Sequence, residues 1–280
     1  MILVDLNQVL ISNLMAQTRG EVTADVEMIR HMVMNSLRNY NKMFKKEYGA
    51  MVLCSDASDP WRRQVFPLYK YSRRKGREDD QRDWSEIFNI LHSIKQELKD
   101  NFPYVVLTLD NTEADDIIAV MVKEAKEKVM IISGDKDFIQ LQKYTHVKQY
   151  APIQKKMVGE DIDPVVFLRE QIIKGDRSDG IPNILSEDDI FTTDKKQAPI
   201  TKKRLLEWSN IDNIPLGSET KKYYERNKQL IDLDEIPDRI YNNILNEYKS
   251  YKVNDRSQLL TYFIENKLKV MIENISDFWT

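Results

Sequence analysis

The chain has 280 residues, 41% of them hydrophobic, a formal net charge of -3, 3 His and 1 Cys. That is enough apolar material for one large domain or a core with an appendage, and a single cysteine excludes an internal disulfide framework and fits a reducing, intracellular setting. No stretch approaches the roughly 18 apolar residues of a membrane span, and the start carries no basic, apolar leader, so membrane and secreted classes are set aside.

The first apolar run predicts a strand over 2–5. Val26, Ile29, Val33, Leu37 and Tyr40 recur at helical spacing and predict a helix over 25–46. A strand over 50–55 follows, then a segment, 61–83, whose length and charge suggest a disordered loop, and a helix over 84–100. Beyond Pro103 the pattern gives a strand over 104–109, a helix over 113–127, a strand over 129–133, a short helix over 137–142 and a strand over 146–150. This alternation predicts an α/β fold: a mostly parallel twisted central sheet flanked by helices. From residue 163 the β signal stops. Helices are expected over 163–174, 200–209, 218–231, 237–248 and 256–276, punctuated by Pro182, Pro199, Pro215 and Pro237. The expected organisation is an α/β core over 1–162 and a helical region over 163–280.

Acids stand where the strands stop. Asp5 ends the first, Asp56 the second, and Gly134-Asp135-Lys136-Asp137 the fourth, while Glu113-Ala114-Asp115-Asp116 opens the helix after the third. Parallel neighbours would bring them to one sheet edge, where open α/β folds keep their sites. Gathered carboxylates repel unless cations lie between them. None of His31, His92, His146 or Cys54 falls in these clusters, so a zinc site is a poor fit and an all-oxygen Mg²⁺ or Mn²⁺ site a good one. Such sites commonly handle phosphate esters. Two bound divalent ions would also turn the net charge from -3 to +1. Singly, each acid has a plainer reading: Asp115 as part of a capping pair with Thr112, Asp135 and Asp137 as caps, Asp56 in a turn. Asp176 and Asp179, in Lys174-Gly175-Asp176-Arg177-Ser178-Asp179-Gly180, are candidate outer ligands of a second ion or simply loop acids.

Residues 61–77 hold seven Lys or Arg, no acid, and Trp61, Phe66, Tyr69 and Tyr71. Cations serve phosphates, and aromatic faces stack unpaired bases at about 1–3 kcal/mol each; a solvated surface loop has the same composition. The terminal Phe278-Trp279 either docks into a partner or packs on the last helix.

In order, Asp5, Asp56, Glu113-Ala-Asp115-Asp116, Gly134-Asp135-Lys-Asp137 and Gly175-Asp176-Arg-Ser-Asp179 resemble the metal-binding acids of the flap endonuclease, or 5′-nuclease, family. Tyr69-Lys70-Tyr71-Ser72-Arg73 is similar to that family's basic helical gateway, and Trp61-Arg62-Arg63, Lys75-Gly76-Arg77 and Val147-Lys148-Gln149-Tyr150 resemble its ribonuclease H branch in T-even-type bacteriophages. The resemblance spans nearly the whole chain. It implies two Mg²⁺ ions, with Mn²⁺ as a substitute: Asp5, Asp56, Glu113, Asp115 and Asp135 at the first, and Asp116, Asp137, Asp176 and Asp179 around the second. It implies Lys70 and Arg73 at the scissile phosphate, three apart on one helix face, with Arg62, Arg63, Tyr69, Arg74, Lys75 and Arg77 along the nucleic acid.

The implied activity is 5′ to 3′ exonuclease and flap cleavage, removing RNA primers and adjoining DNA from lagging-strand fragments in an infected bacterium's cytoplasm. Single-strand binding protein and a sliding clamp are the implied companions. One departure is plain: where the family carries a glycine hairpin that grips duplex, this chain has Asn183-Ile184-Leu185-Ser186-Glu187-Asp188-Asp189-Ile190. The basic residues Lys195, Lys196, Lys202, Lys203 and Arg204 are the candidate substitute. Two rivals remain, a PIN-like single-strand endoribonuclease and a non-catalytic structure-specific DNA-binding subunit. A haloacid dehalogenase phosphatase is set aside, because Asn7 stands where it needs a second Asp.

Overall fold

The computed structural model describes residues 1–18, 24–193, 195–209 and 217–279. Pro215 lies outside them. Its sheet has six strands, β1 (Ile2–Asp5), β2 (Met51–Cys54), β3 (Val105–Leu107), β4 (Val129–Ile132), β5 (Val147–Ala151) and β6 (Lys156–Val158), in the order β3-β2-β1-β4-β5-β6. All neighbours are parallel except β6, which runs antiparallel to β5 at the edge.

Apolar residues alternate to the two faces, as a doubly covered sheet requires. Ile2, Val4, Met51, Leu53, Met130 and Ile132 point to a core shared with α1 (Leu6–Gln17), α2 (Val26–Tyr48) and, after the basic helices α3 (Arg62–Val65) and α4 (Tyr71–Glu78), α5 (Trp84–Asn101). Leu3, Val52, Cys54, Val129 and Ile131 face the other core, against α6 (Ala114–Glu124) and the 3₁₀ helix Lys136–Lys143. Next come α7 (Pro164–Lys174), α8 (Lys202–Ser209), α9 (Ser218–Ile231), α10 (Asp238–Ser250), α11 (Arg256–Glu265) and α12 (Lys269–Glu273). These later helices feed both cores: Ile240 and Ile244 of α10 join the α6 side, and Leu259, Tyr262, Phe263 and Met271 the α5 side. No described helix is long and apolar enough to cross a membrane.

Four differences from the expected elements have local causes. Helix α1 was not anticipated; the Asp5 side chain accepts from Gln8 N, and Leu6, Val9, Leu10 and Leu14 form its buried stripe. Strand β6 is short and half polar, so alternation says little about it. The expected helix over 256–276 is broken, because Lys267 takes φ +56° between α11 and α12. Residues 61–83, expected as a disordered loop, hold α3 and α4. At the terminus Phe278 is fully buried, its ring 5.8 Å from Phe102 and 5.2 Å from Phe263, which resolves that residue in favour of packing.

Candidate metal centre

Strand β1 pairs with β2 on one side and β4 on the other, and between β1 and β4 the direction of strand progression reverses. A crevice opens at the carboxyl edge of such a switch point. Asp5 ends β1, Asp56 follows β2 and Asp135 follows β4, while Glu113, Asp115 and Asp116 start α6 after β3.

Burial, the main cause, raises the Asp5 carboxyl to about 7, with the charges of Asp56 and Asp135 adding to it. Asp115 is pushed well above the ordinary carboxylate range, by burial first and then by Asp135, Asp5 and Glu113. Burial likewise raises Asp56. Gln8 N and Ser133 Oγ each donate to Asp5 at 3.0 Å, and Asn7 Nδ2 and Ala114 N each donate to Asp56 at 2.8 Å.

Asp137 lies with a second group of acids. Burial and then Asp135 raise its carboxyl, with Asp176 and Asp179 contributing, and Gln171 Nε2 donates to it at 2.5 Å. Asp115, Asp137, Asp176 and Asp179 line one small cavity together with Arg62 and Tyr69. The loop carrying the last two acids depends on glycine: Gly175 has φ +67°, and a Cβ there would lie 2.3 Å from Ile181 O. Asp176 accepts from Ser178 N at 2.7 Å, and Asp179 O accepts from Lys70 N at 2.7 Å, fastening this loop to the start of α4.

The cations stand opposite. Lys70 Nζ lies 2.5 Å from Glu113 and 3.7 Å from Asp179, and Arg73 pairs with Asp179. Burial opposes the Lys70 charge, but Glu113 and Asp179 outweigh it and hold the ammonium above its usual value. The expected pairing on one helix face is not how the two converge. Lys70 precedes α4 as its N-cap with φ +56°, and that left-handed turn directs the chain while Arg73 sits in the first turn.

Several expected site residues are engaged by interior partners. Asp116 is fully buried and accepts from Glu113 N at 3.0 Å and Trp61 Nε1 at 3.1 Å, closing the N-terminal capping box of α6. Arg62, expected along the nucleic acid, is only 3% exposed; it lies 2.8 Å from both Glu113 and Asp116 and donates to Leu230 O. Two interior carboxylates need an interior cation, and charge pattern alone does not tell such a cation from a surface one. Tyr69 is buried too, its hydroxyl within hydrogen-bond distance of both Glu113, at 3.1 Å, and Asp179, at 3.0 Å, and Trp61 and Phe66 are also enclosed. Arg63 pairs at 3.7 Å with Asp59, while Arg74, Lys75 and Arg77 are exposed on α4.

Among the described residues no three acid, histidine or cysteine side chains are arranged to close on one ion. Glu113 and Asp179 face Lys70, Arg73 and Tyr69 instead. The donor set still fits hard divalent cations: it is all oxygen, and the burial and mutual repulsion that oppose ionisation of these carboxyls are what a cation would offset. Sequence reading missed the residues that hold the acids, Asn7, Gln8, Ser55, Ser133 and Gln171. Their one signal was the polar run Asn7-Gln8 directly behind a strand-ending Asp.

Where a glycine hairpin was missing, the chain builds a closed loop: Asn183 Nδ2 donates to Ala198 O at 2.8 Å, and Asp188 pairs with Arg226 of α9. Lys195 is engaged at 3.0 Å by Glu187, and Lys202, Lys203 and Arg204 are exposed on α8.

A family model described as the 5′-3′ exonuclease N-terminal resolvase-like domain matches residues 1–168, and one described as T4 RNase H, C terminal, matches 162–278. The chain is 34% identical over 293 aligned positions to a ribonuclease H of Enterobacteria phage T4, covering 99% of this chain and 95% of that one. A thermostable DNA polymerase I of Thermus filiformis is 27% identical over 193 residues, 65% of this chain but 21% of the polymerase. Among solved structures, a T5 protein co-crystallised with metal ions superposes with TM-score 0.65 at 19% identity, covering 88% of this chain and 98% of that one. The bacteriophage T5 flap endonuclease, in a pseudo-enzyme-product complex with DNA and metal ions, gives 0.62 at 18%, covering 89% and 99%. These two likenesses are likenesses of fold. The match of both models and of the whole chain to the T4 enzyme makes this protein a member of the 5′-3′ exonuclease family, with a C-terminal part of the T4 ribonuclease H type.

Proposed function

We propose that this chain is a divalent-metal-dependent 5′ to 3′ exonuclease and flap endonuclease that removes RNA primers and adjoining DNA from lagging-strand fragments during phage replication. Family membership makes it a nuclease, a hydrolase of phosphodiesters. The observation that carries the reading is the meeting of Asp5, Asp56, Asp115 and Asp135 at one sheet edge, with Lys70 and Arg73 facing them.

In this reading Asp5, Asp56, Asp115 and Asp135 would hold one Mg²⁺, and Asp137, Asp176 and Asp179 would serve another. Bound there, the ions would neutralise phosphate charge and acidify the attacking water. Lys70 and Arg73 leave their carboxylate partners for the scissile phosphate, where two nearby charges stabilise what builds up on the oxygens. Glu113, fixed from below by Arg62, keeps Lys70 and Tyr69 in place. Arg74 and Lys75 meet the strand backbone. Residues 1–162 supply the nuclease core, and 163–280, with Lys202, Lys203 and Arg204 on α8, the duplex side. The setting is the cytoplasm of an infected bacterium, and single-strand binding protein and a sliding clamp are the working companions.

A Mg²⁺ titration on a 5′-labelled primer-template and flap pair tests this. Short products released from the 5′ end, and cuts at the flap base, are expected. Cleavage of single-stranded RNA without need of a 5′ end would establish the PIN-like reading, and tight binding with no cleavage the non-catalytic one.

A further inference from the structure

Helices α4 and α5 are joined by a short turn, and the last turn of α4 lies over the first turns of α5. Trp84 and Phe88 are one helical turn apart on the same side of α5, their ring centroids 5.8 Å from each other. The Arg77 guanidinium lies over both, 5.6 Å from Trp84 and 5.1 Å from Phe88, and Arg82 lies 5.2 Å from Trp84. Arg82 is held by Asp80 at 2.5 Å. Among the described residues no acid pairs with Arg77: burial, then Arg73 and Arg63, disfavour its charge. Phe88 leaves 43% of its surface exposed beside this cation.

Buried rings of this size need no explanation, but an exposed one next to a cation without a carboxylate combines what an unpaired nucleotide requires, a flat face for the base and a charge for the phosphate. Arg77 follows Arg73 by one helical turn, about 6 Å along α4. A strand whose scissile phosphate meets Arg73 would therefore bring its next unpaired nucleotides to Phe88. We propose that Phe88 and Trp84, with Arg77 above them, form a shelf on which an unpaired base of the 5′ strand stacks, favouring flapped over unflapped ends. This rests on the nuclease reading given above and names a determinant of its substrate choice.

The test uses the full chain and two substrates, a duplex with a five-nucleotide 5′ flap carrying 2-aminopurine near its base, and the matching nicked duplex without a flap. Binding in Ca²⁺ and cleavage in Mg²⁺ are measured for the parent protein, Phe88→Ala and Phe88→Tyr. With Phe88→Ala, flap affinity is expected to fall about tenfold, in keeping with the loss of one stacked base. The 2-aminopurine quenching disappears, and the ratio of flap to nick cleavage falls with it, while Phe88→Tyr keeps all three. Equal losses on both substrates, or no change in quenching, would overturn the shelf and leave the nuclease reading intact. Absence of cleavage of either substrate by the parent protein would overturn the nuclease reading itself.

Discussion

The acids beneath the crevice and the cations above it are held by different means. Asp5, Asp56 and Asp135 project from strand ends whose register is set by parallel pairing and by full apolar burial on both faces. Helix α4 buries none of its residues, and its start is fastened by ion pairs from Lys70 and Arg73 and by the backbone bond from Lys70 to Asp179. Sheet topology therefore places the negative half of the site, and charge attraction places the positive half. Substitutions below would alter metal binding and stability; substitutions above would alter rate and grip.

Replacing Asp135 by Asn gives the largest expected effect, a fall in single-turnover cleavage of at least about a thousandfold, or ~4 kcal/mol of barrier, with the melting temperature unchanged or raised because a mutually repelling charge is lost. Retained Mg²⁺-dependent cleavage would break the contrast. Arg62→Ala is expected to cost about 3–5 kcal/mol of stability in chemical denaturation, because Glu113 and Asp116 lose their interior counter-charge. A loss below about 1 kcal/mol, the usual worth of an exposed ion pair, would return Arg62 to the surface role first expected of it. Lys70→Ala is expected to slow cleavage about a hundredfold, the scale for one positioned donor, with little change in substrate affinity. An effect on affinity alone removes Lys70 from the chemistry.

The carboxyls also predict a pH response. Asp5 is raised to about 7, so between the ordinary carboxylate range and that value the folded protein binds more protons than the unfolded chain. Stability measured in a chelator is then highest at the acid end of that window and falls as pH rises through it. Saturating Mg²⁺ is expected to flatten the slope and to add about 2.7 kcal/mol at a hundredfold excess over Kd. A flat profile in both conditions would deny the burial and crowding that raise Asp5. The smallest effect is that of Lys75→Gln, which is expected to weaken binding to all sequences alike and to reduce the salt slope by about one.

Much of the lower half was legible in the sequence. Apolar runs such as Ile2–Val4 and Val129–Ile132 end in acids, and alternating helices make parallel pairing the economical topology, so the convergence of Asp5, Asp56 and Asp135 follows from one-dimensional information. The upper half was not, because its order comes from partners far apart in the chain. Arg62 and Tyr69 look like Arg74 and Tyr71 until Glu113 and Asp179 are seen to enclose the former pair. Helix α1 escaped because its apolar stripe, Leu6, Val9, Leu10 and Leu14, is interrupted by Asn7 and Gln8, which serve the site rather than solvent. Trp84 and Phe88 fell outside the basic run that drew attention to residues 61–77.

The backbone bond from Lys70 to Asp179 has a mechanical consequence. Gly180 sits so tightly under this crossing that a Cβ there would come 3.1 Å from Leu68 O. The start of α4 and the Asp176–Asp179 turn are thus fastened together, with little room at Gly180 for a side chain to part them. A change in the setting of one segment is therefore felt by the other through that bond and that close packing.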